Sequence, residues 1–178
     1  MTTLTTERLV LRPFTLADAP AVQRLAGARE VALNTLLIPY PYPNGAAEVW
    51  ISKPRDPNDL TFAITLRHTG ELVGAMGLVI SREHDRAEIG YWIAVEHWNR
   101  GYATEAGRAV MRYGFEEFNL NRILALVFAR NPASGRVLQK LGMRHEGSLR
   151  EHLVKWGERI DVELYGILRG DWDRPPDG

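Results

Sequence analysis

Between Trp92 and Ala106 an apolar, strand-like run, Trp92-Ile93-Ala94-Val95, passes through the short loop Trp98-Asn99-Arg100-Gly101 into an Ala-rich helical segment. A strand that reaches a helix through so few residues delivers its own end and the helix N-terminus to one point. The first amides of a helix lack partners and carry about half a positive charge, which attracts phosphate. Gly101 lets backbone come close, and Arg100 adds a full positive charge. A Gly before a helix is also an ordinary turn, but the local expectation is a diphosphate cradle at Arg100, Gly101, Tyr102, Ala103 and Thr104, which implies a nucleotide-containing ligand. A Walker-type loop is excluded because no Gly-Lys-Ser/Thr follows. No Gly-x-Gly-x-x-Gly follows an early strand, which disfavours a dinucleotide fold.

Periodicity sets the remaining elements. Arg8–Arg12 is a short strand stopped by Pro13. Asp18 caps a helix with Pro20 in its first turn and Val22, Leu25 and Ala26 on its apolar face, ending near Gly27. The run Pro39-Tyr40-Pro41-Tyr42-Pro43 fits neither helix nor central strand, and a second helix covers Ala46–Ser52. Leu60–Leu66 alternates at the strand period and returns through Thr69-Gly70 as Leu72–Ile80. Arg86–Val95 is a third long strand, with Ala87, Ile89, Tyr91, Ile93 and Val95 on one face and Glu88, Gly90, Trp92 and Ala94 on the other. Ala103–Phe118 is a helix whose small residues Ala103, Ala106, Gly107 and Gly114 permit close packing. Arg122–Ala129 is a central-type strand. Asn131-Pro132 opens a helix that Gly142 ends. Met143–Trp156 and Glu158–Leu168 are strands joined near Gly157. The order β-α-α-β-β-β-α-β-α-β-β predicts an α/β (α+β) domain over residues 1–170, with a mixed, mostly antiparallel sheet of seven strands, four helices, and crossovers after the fourth and fifth strands. A polar, Pro-rich tail is expected over 171–178.

Lys+Arg and Asp+Glu are both 22, a balance that argues against direct nucleic-acid or membrane-surface binding. There is no Cys, so disulfides, thiolate metal sites and a Cys nucleophile are excluded. No signal peptide is read at the N-terminus and no apolar run reaches the ~20 residues of a membrane span, so the expected location is cytoplasmic. His84, His97, His145 and His152 show no metal-ligand spacing, and no metal is expected.

Four blocks agree in order and spacing with one known superfamily: Thr6–Pro13, Glu88-Ile89-Gly90-Tyr91-Trp92, Trp98–Ala106, and Asn131-Pro132-Ala133-Ser134 followed by Lys140-Leu141-Gly142-Met143. The chain resembles the GNAT N-acetyltransferases, and within them the RimJ/RimL-like ribosomal-protein N-acetyltransferases, over nearly its whole length. The diphosphate motif of that superfamily, Gln/Arg-x-x-Gly-x-Gly/Ala, reads Trp98-Asn99-Arg100-Gly101-Tyr102-Ala103 here. The resemblance implies a single-domain acyl-CoA N-acyltransferase fold and direct acetyl transfer from acetyl-CoA to an amine. In that reading the backbone of Ile93, Ala94 and Val95 pairs with the pantetheine arm as an added strand. A bulge near the strand end opens that edge, and Asn131 contacts the arm.

Ser134, one turn into its helix, is the candidate hydroxyl for the departing thiolate; it is equally a common surface Ser. Glu88 is the leading candidate base, with Glu105 second and Glu151 third. The base position of RimL-like proteins falls near Leu153 here, which is not a carboxylate. Tyr40, Tyr42 and Trp50 either wall the acceptor site or pack the Pro-rich loop, and Trp92 and Trp98 are expected to pack in or near the core. The expected acceptor is the N-terminal α-amine of a protein, such as a ribosomal protein. The alternatives are a small-molecule amine (polyamine, amino acid or aminoglycoside) and a non-catalytic CoA-binding sensor. The chain is compatible with a monomer or a homodimer.

Overall fold

The computed structural model describes residues 2–173. Its strands are β1 (Leu4–Thr5), β2 (Leu9–Arg12), β3 (Asp59–Leu66), β4 (Leu72–Ser81), β5 (Arg86–Ile93), β6 (Arg122–Phe128), β7 (Arg144–Lys155) and β8 (Glu158–Leu168). Its helices are α1 (Ala19–Ala26), α2 (Arg29–Leu33), α3 (Ala46–Ser52), α4 (Tyr102–Phe118), α5 (Pro132–Lys140) and α6 (Arg169–Trp172). They build one sheet in the order β1-β2-β3-β4-β5-β6-β8-β7. Every neighbouring pair is antiparallel except β5 and β6, which α4 connects as a crossover. The tip of the β7–β8 hairpin is a two-residue loop, Trp156-Gly157, with φ of 51° and 81°. Two positive φ values are what a tight I′-type turn demands.

The sheet is covered on both faces. On one, Leu9, Leu11, Ile64, Met76, Leu78, Ile89 and Ile123 pack against Ala106, Val110, Met111 and Phe115 of α4 and Leu138 of α5. Gly107 and Gly114 let α4 settle there: a Cβ on Gly114 would stand 2.7 Å from Leu78 Cδ1. On the other face Ala63, Leu72 and Ala94 meet Ala19, Val22, Leu25 and Ala26 of α1 and Ala47 of α3.

Several boundaries differ from the sequence reading, each for a physical reason. The sheet has eight strands rather than seven, because Leu4 and Thr5 pair with Leu11 and Val10; two residues are too few to show alternation. The short helices α2 and α6 likewise fall below the length at which a 3.6-residue period is visible. The third long strand stops at Ile93, because Val95–His97 coils into a 3-10 turn. Asp171 and Trp172, the start of the expected tail, belong to α6, whose Trp172 stacks on Phe115 at 5.7 Å. Residues 174–178 lie outside the described residues.

The decisive feature for the site is where β5 and β6 part. They pair only at Arg86–Arg122, Ala87–Ile123 and Glu88–Leu124. Beyond Glu88, β5 stays in unbroken register with β4 as far as Ile93–Gly74, and β6 stays paired with β8 to Phe128–Val162. The expected opening is present. The expected bulge is not, since the β4–β5 register runs without a shift and the split comes from each strand following its outer neighbour.

Gly77 on β4 is set tightly against β3. A Cβ there would fall on the backbone carbonyl of Leu60, which has no flexible end to move aside. Gly77→Ala is therefore expected to destabilise the fold by about 1–3 kcal/mol, read as a lower urea midpoint at unchanged slope. A wild-type midpoint would mean that the β3–β4 pair shifts freely.

Candidate functional site

A cavity of about 450 Å³ opens where β5 and β6 diverge. It is lined by Tyr91, Trp92 and Ile93 of β5, by Gly101 to Thr104 at the head of α4, and by Asn131, Ser134, Arg136 and Lys140 of α5 and its cap. Asn99 and Gly101 adopt φ of 60° and 80°, which folds the β5–α4 loop sharply enough to aim the helix start into the opening. The first helical bond runs from Glu105 N to Gly101 O at 3.0 Å, and no side chain caps this end. The amides of Tyr102, Ala103 and Thr104 therefore face the cavity without helical partners, the arrangement that suits an anion. Arg100 is exposed and off the cavity wall.

The loop is pinned from the N-terminal segment. Arg8 donates from its guanidinium to Arg100 O at 3.0 Å and to Glu105 Oε2 at 2.7 Å, and lies 4.9 Å over the Tyr102 ring. Thr6 Oγ1 and Arg8 N donate to Glu105 Oε1 at 2.6 and 2.8 Å. Burial alone would raise the Glu105 pKa, but the bonds from Thr6 and Arg8 outweigh it and leave the carboxyl below its ordinary value. Glu105 is thus a fully engaged anchor, poorly suited to take a proton from an amine.

At the end of β5 the backbone is largely committed. Ile93 O accepts from Trp98 Nε1 at 2.7 Å, Ala94 N donates to Val73 O at 2.9 Å, and the carbonyls of Ala94 and Val95 accept within the 3-10 turn. Of Ile93, Ala94 and Val95 only Ile93 lines the cavity, joined by Tyr91 and Trp92. Trp92 packs on the α1 core as expected and also lines the cavity, while Trp98, expected in or near the core, lines the cavity and is 40% exposed. The 3-10 turn brings the Trp98 indole back onto Ile93, a contact with no local sequence signal.

At the opposite wall Asn131 acts as a true cap: its Oδ1 accepts from Ser134 N at 3.2 Å, and its Nδ2 donates to Ser134 Oγ at 3.0 Å. Arg136 and Lys140 add two positive charges that sequence reasoning overlooked. Their spacing of four, which puts both on one helix face, was the available signal.

Glu88 stands at the last rung of the β5–β6 ladder, exposed, on the face away from α4, and does not itself line the cavity. The protein around its carboxyl still raises its pKa by desolvation, with Arg86 opposing. Glu151 is exposed and paired with Arg159 at 2.8 Å. Trp50 packs edge-on against Phe14, and Tyr42 joins the α1 core. Tyr40 lies 6.1 Å from Trp156 at the hairpin tip. There, Lys155 Nζ donates to Leu36 O and Ile38 O at 3.1 and 2.6 Å, and Arg130 donates to Leu33 O at 2.9 Å. These bonds hold the α2–α3 loop beside the cavity, whose wall includes Val31, Asn34 and Thr35. The fold also gathers Glu71, Glu96 and His97, with potential ligand atoms within 4.8 Å of one another, which sequence spacing did not show. Both glutamates are half exposed and Glu96 also pairs with Arg24, the arrangement of a surface ion-pair cluster.

Comparison with known proteins agrees with this geometry. The family model described as an acetyltransferase (GNAT) domain matches residues 8–144. The uncharacterized N-acetyltransferase YoaA of Bacillus subtilis is 35% identical over 170 residues, spanning 93% of this chain and 96% of the relative. YdaF of the same organism, whose name assigns it provisionally to ribosomal N-acetylation, is 35% identical over 109 residues, 61% of this chain and 60% of its own. The crystal structure of a GNAT-family acetyltransferase from Bacillus anthracis superposes with a TM-score of 0.83 at 30% identity, covering 94% of this chain and 98% of that one.

The Glu105 anchor makes a pH-dependent contribution. Its pKa is lowered in the folded state, so the stabilisation is complete above the unfolded value of about 4.3 and is lost as pH falls through the folded one. Glu105→Gln should melt below wild type at pH 7, and the gap should close below about pH 4.3. A gap constant through that range would show that the carboxylate is not held as described.

Proposed function

The chain belongs to the GNAT acetyltransferase family and is an acetyl-CoA-dependent N-acetyltransferase; on that premise we propose that its acceptor is the N-terminal α-amine of a protein, in the manner of the RimJ/RimL-like ribosomal-protein enzymes. The observation that carries the acetyl-transfer chemistry is one cavity that joins the bare amides of α4 to the Ser134 hydroxyl at the head of α5. The pyrophosphate of acetyl-CoA binds the amides of Tyr102 to Thr104, with Arg136 and Lys140 adding charge. The pantetheine arm follows the free edge of β5 at Tyr91–Ile93, opposite Asn131, and brings the thioester to Ser134.

The acceptor amine attacks the thioester carbonyl directly. A C–N bond forms, the C–S bond breaks, and its electron pair stays on sulfur, where the Ser134 hydroxyl meets it. The ammonium proton passes through water to Glu88, whose raised pKa makes it a stronger base than an ordinary carboxylate. An α-amine, with a pKa of about 8, loses its proton more readily than a lysine at about 10.4.

The acceptor side supports a polypeptide over a polycation. The loop and hairpin beside the cavity expose Leu36, Leu37, Tyr40 and Trp156. A chain terminus offers one amine together with apolar side chains for that surface, which a polyamine lacks. The four sequence blocks and the likeness to YdaF point the same way.

CoA release should be measured with free-terminus peptides, the same peptides with blocked termini, spermidine and an aminoglycoside. Turnover with free-terminus peptides alone is expected. Turnover confined to the small amines would replace the proposed acceptor. With the active peptide, Glu88→Gln should lower kcat about 10²-fold. Wild-type kcat should rise with pH as Glu88 deprotonates, with a midpoint above the ordinary glutamate value, and the variant should lack that rise. Wild-type turnover in the variant would remove Glu88 from the mechanism.

A further inference from the structure

Ser134 has one hydroxyl proton to give and two lone pairs to fill. Asn131 Nδ2 fills one lone pair at 3.0 Å. The other is open, and on it depends where the proton points. The Tyr91 side chain reaches the same cavity from β5. Its hydroxyl is buried and makes no hydrogen bond among the described residues, although it lies near enough to Ser134 for the serine hydroxyl to act on its ionisation. Apart from the two ring nitrogens of His97, no other buried side-chain nitrogen or oxygen in the described residues is left in this state. A buried hydroxyl without a partner costs free energy, and catalytic hydrogen bonds are often slack until substrate tightens them.

Resting on the acetyl transfer proposed above, we infer that Tyr91 is a positioning residue: with acetyl-CoA bound, its hydroxyl donates to the second lone pair of Ser134 Oγ and leaves the single Ser134 proton aimed at the thioester sulfur. Both lone pairs are then filled, by Asn131 from one side and Tyr91 from the other. The serine proton has one remaining direction, and the two incoming bonds polarise it toward the sulfur. Burial raises the Tyr91 pKa, with Ser134 opposing, so the phenol remains a donor throughout the neutral range. The proton is shared, not transferred. A thiolate whose thiol has a pKa of about 8.5 does not deprotonate a phenol above about 10, nor a serine. The C–S electron pair therefore leaves on sulfur as a hydrogen-bonded thiolate, which takes its proton from water after release.

The test is the thiol pKa of CoA bound to the protein, followed by thiolate absorbance in the ultraviolet, in wild type, Tyr91→Phe, Ser134→Ala and the double variant. In wild type the bound thiol should ionise below free CoA. Tyr91→Phe should reduce the thiolate fraction at fixed pH about tenfold, with CoA affinity changed less than about twofold. The double variant should match Ser134→Ala alone, because Tyr91 acts only through that serine. The unliganded Tyr91→Phe protein should melt at or above the wild-type temperature, since the hydroxyl it loses had no partner. An unchanged thiol pKa in Tyr91→Phe, or additive losses in the double variant, would overturn the inference. Failure of wild type to bind CoA would instead overturn the acetyl-transfer reading on which it rests.

Discussion

Everything at this site depends on β5 and β6 ceasing to pair after Glu88 and Leu124. Adjacent parallel strands ordinarily continue their ladder, because unpaired backbone groups in the interior of a sheet are expensive. Here each strand keeps its outer partner, so the cost falls only on the two facing inner edges, and the β5 edge becomes one wall of a cavity whose other walls are the head of α4 and α5 with its cap. In the proposed binding mode the pantetheine arm pairs with the β5 edge in the manner of an added strand. The vacancy in the sheet is thus a template for a linear, amide-containing arm.

The split also organises the helices. Because β5 and β6 run parallel, α4 must cross between them, and its N-terminus lands at the mouth of the opening. The helix that follows β6 starts at the same mouth, and its cap, Asn131, serves both the helix and the Ser134 hydroxyl. Two helix N-termini therefore face one cavity, and their partial positive charges add to Arg136 and Lys140. This concentrates positive potential locally in a chain whose net charge is zero. The Arg8–Glu105 anchor keeps the β5–α4 loop in place from a distant part of the sequence. Its cost is that Glu105, well placed beside the cradle, is spent on structure and withdrawn from proton transfer.

The fold was legible in the sequence wherever an element was long enough to show its period. The β3–β4 hairpin, α4 with its small-residue face, and the Asn131-Pro132 helix start all lie where alternation, spacing and capping chemistry put them. The two-residue β1 and the short α2 and α6 were invisible, since their formation depends on tertiary partners: Leu4 on Leu11, Trp172 on Phe115. In the site, the helix start at Gly101–Thr104 and the Asn131–Ser134 pair were readable because they are local motifs; that the first holds a pyrophosphate is the proposal above. The Arg8–Glu105 anchor and the Lys155 contacts with the α2–α3 loop join residues about a hundred positions apart, and no local signal encodes them. The cavity-lining stretch of β5 lies earlier than expected for the same reason: Val95 continues the strand's alternation, but the Trp98 indole and the 3-10 turn remove it from the edge.

Tyr91 shows why reading by residue type alone stops short. In sequence it is one more inward-facing member of an alternating strand, indistinguishable from Ile89 or Ile93. Its ring does pack against the core formed by those residues. Only the folded chain shows that the hydroxyl at its tip has no hydrogen-bond partner among the described residues, near a serine that accepts one bond from Asn131. A phenylalanine would satisfy the packing without burying an orphaned oxygen. A position that keeps a polar group the free protein does not use is one where stability has been yielded to another demand. The Tyr91 side chain lines the same cavity as Ser134, and the proposed hydrogen bond between them assigns that demand to the departing sulfur.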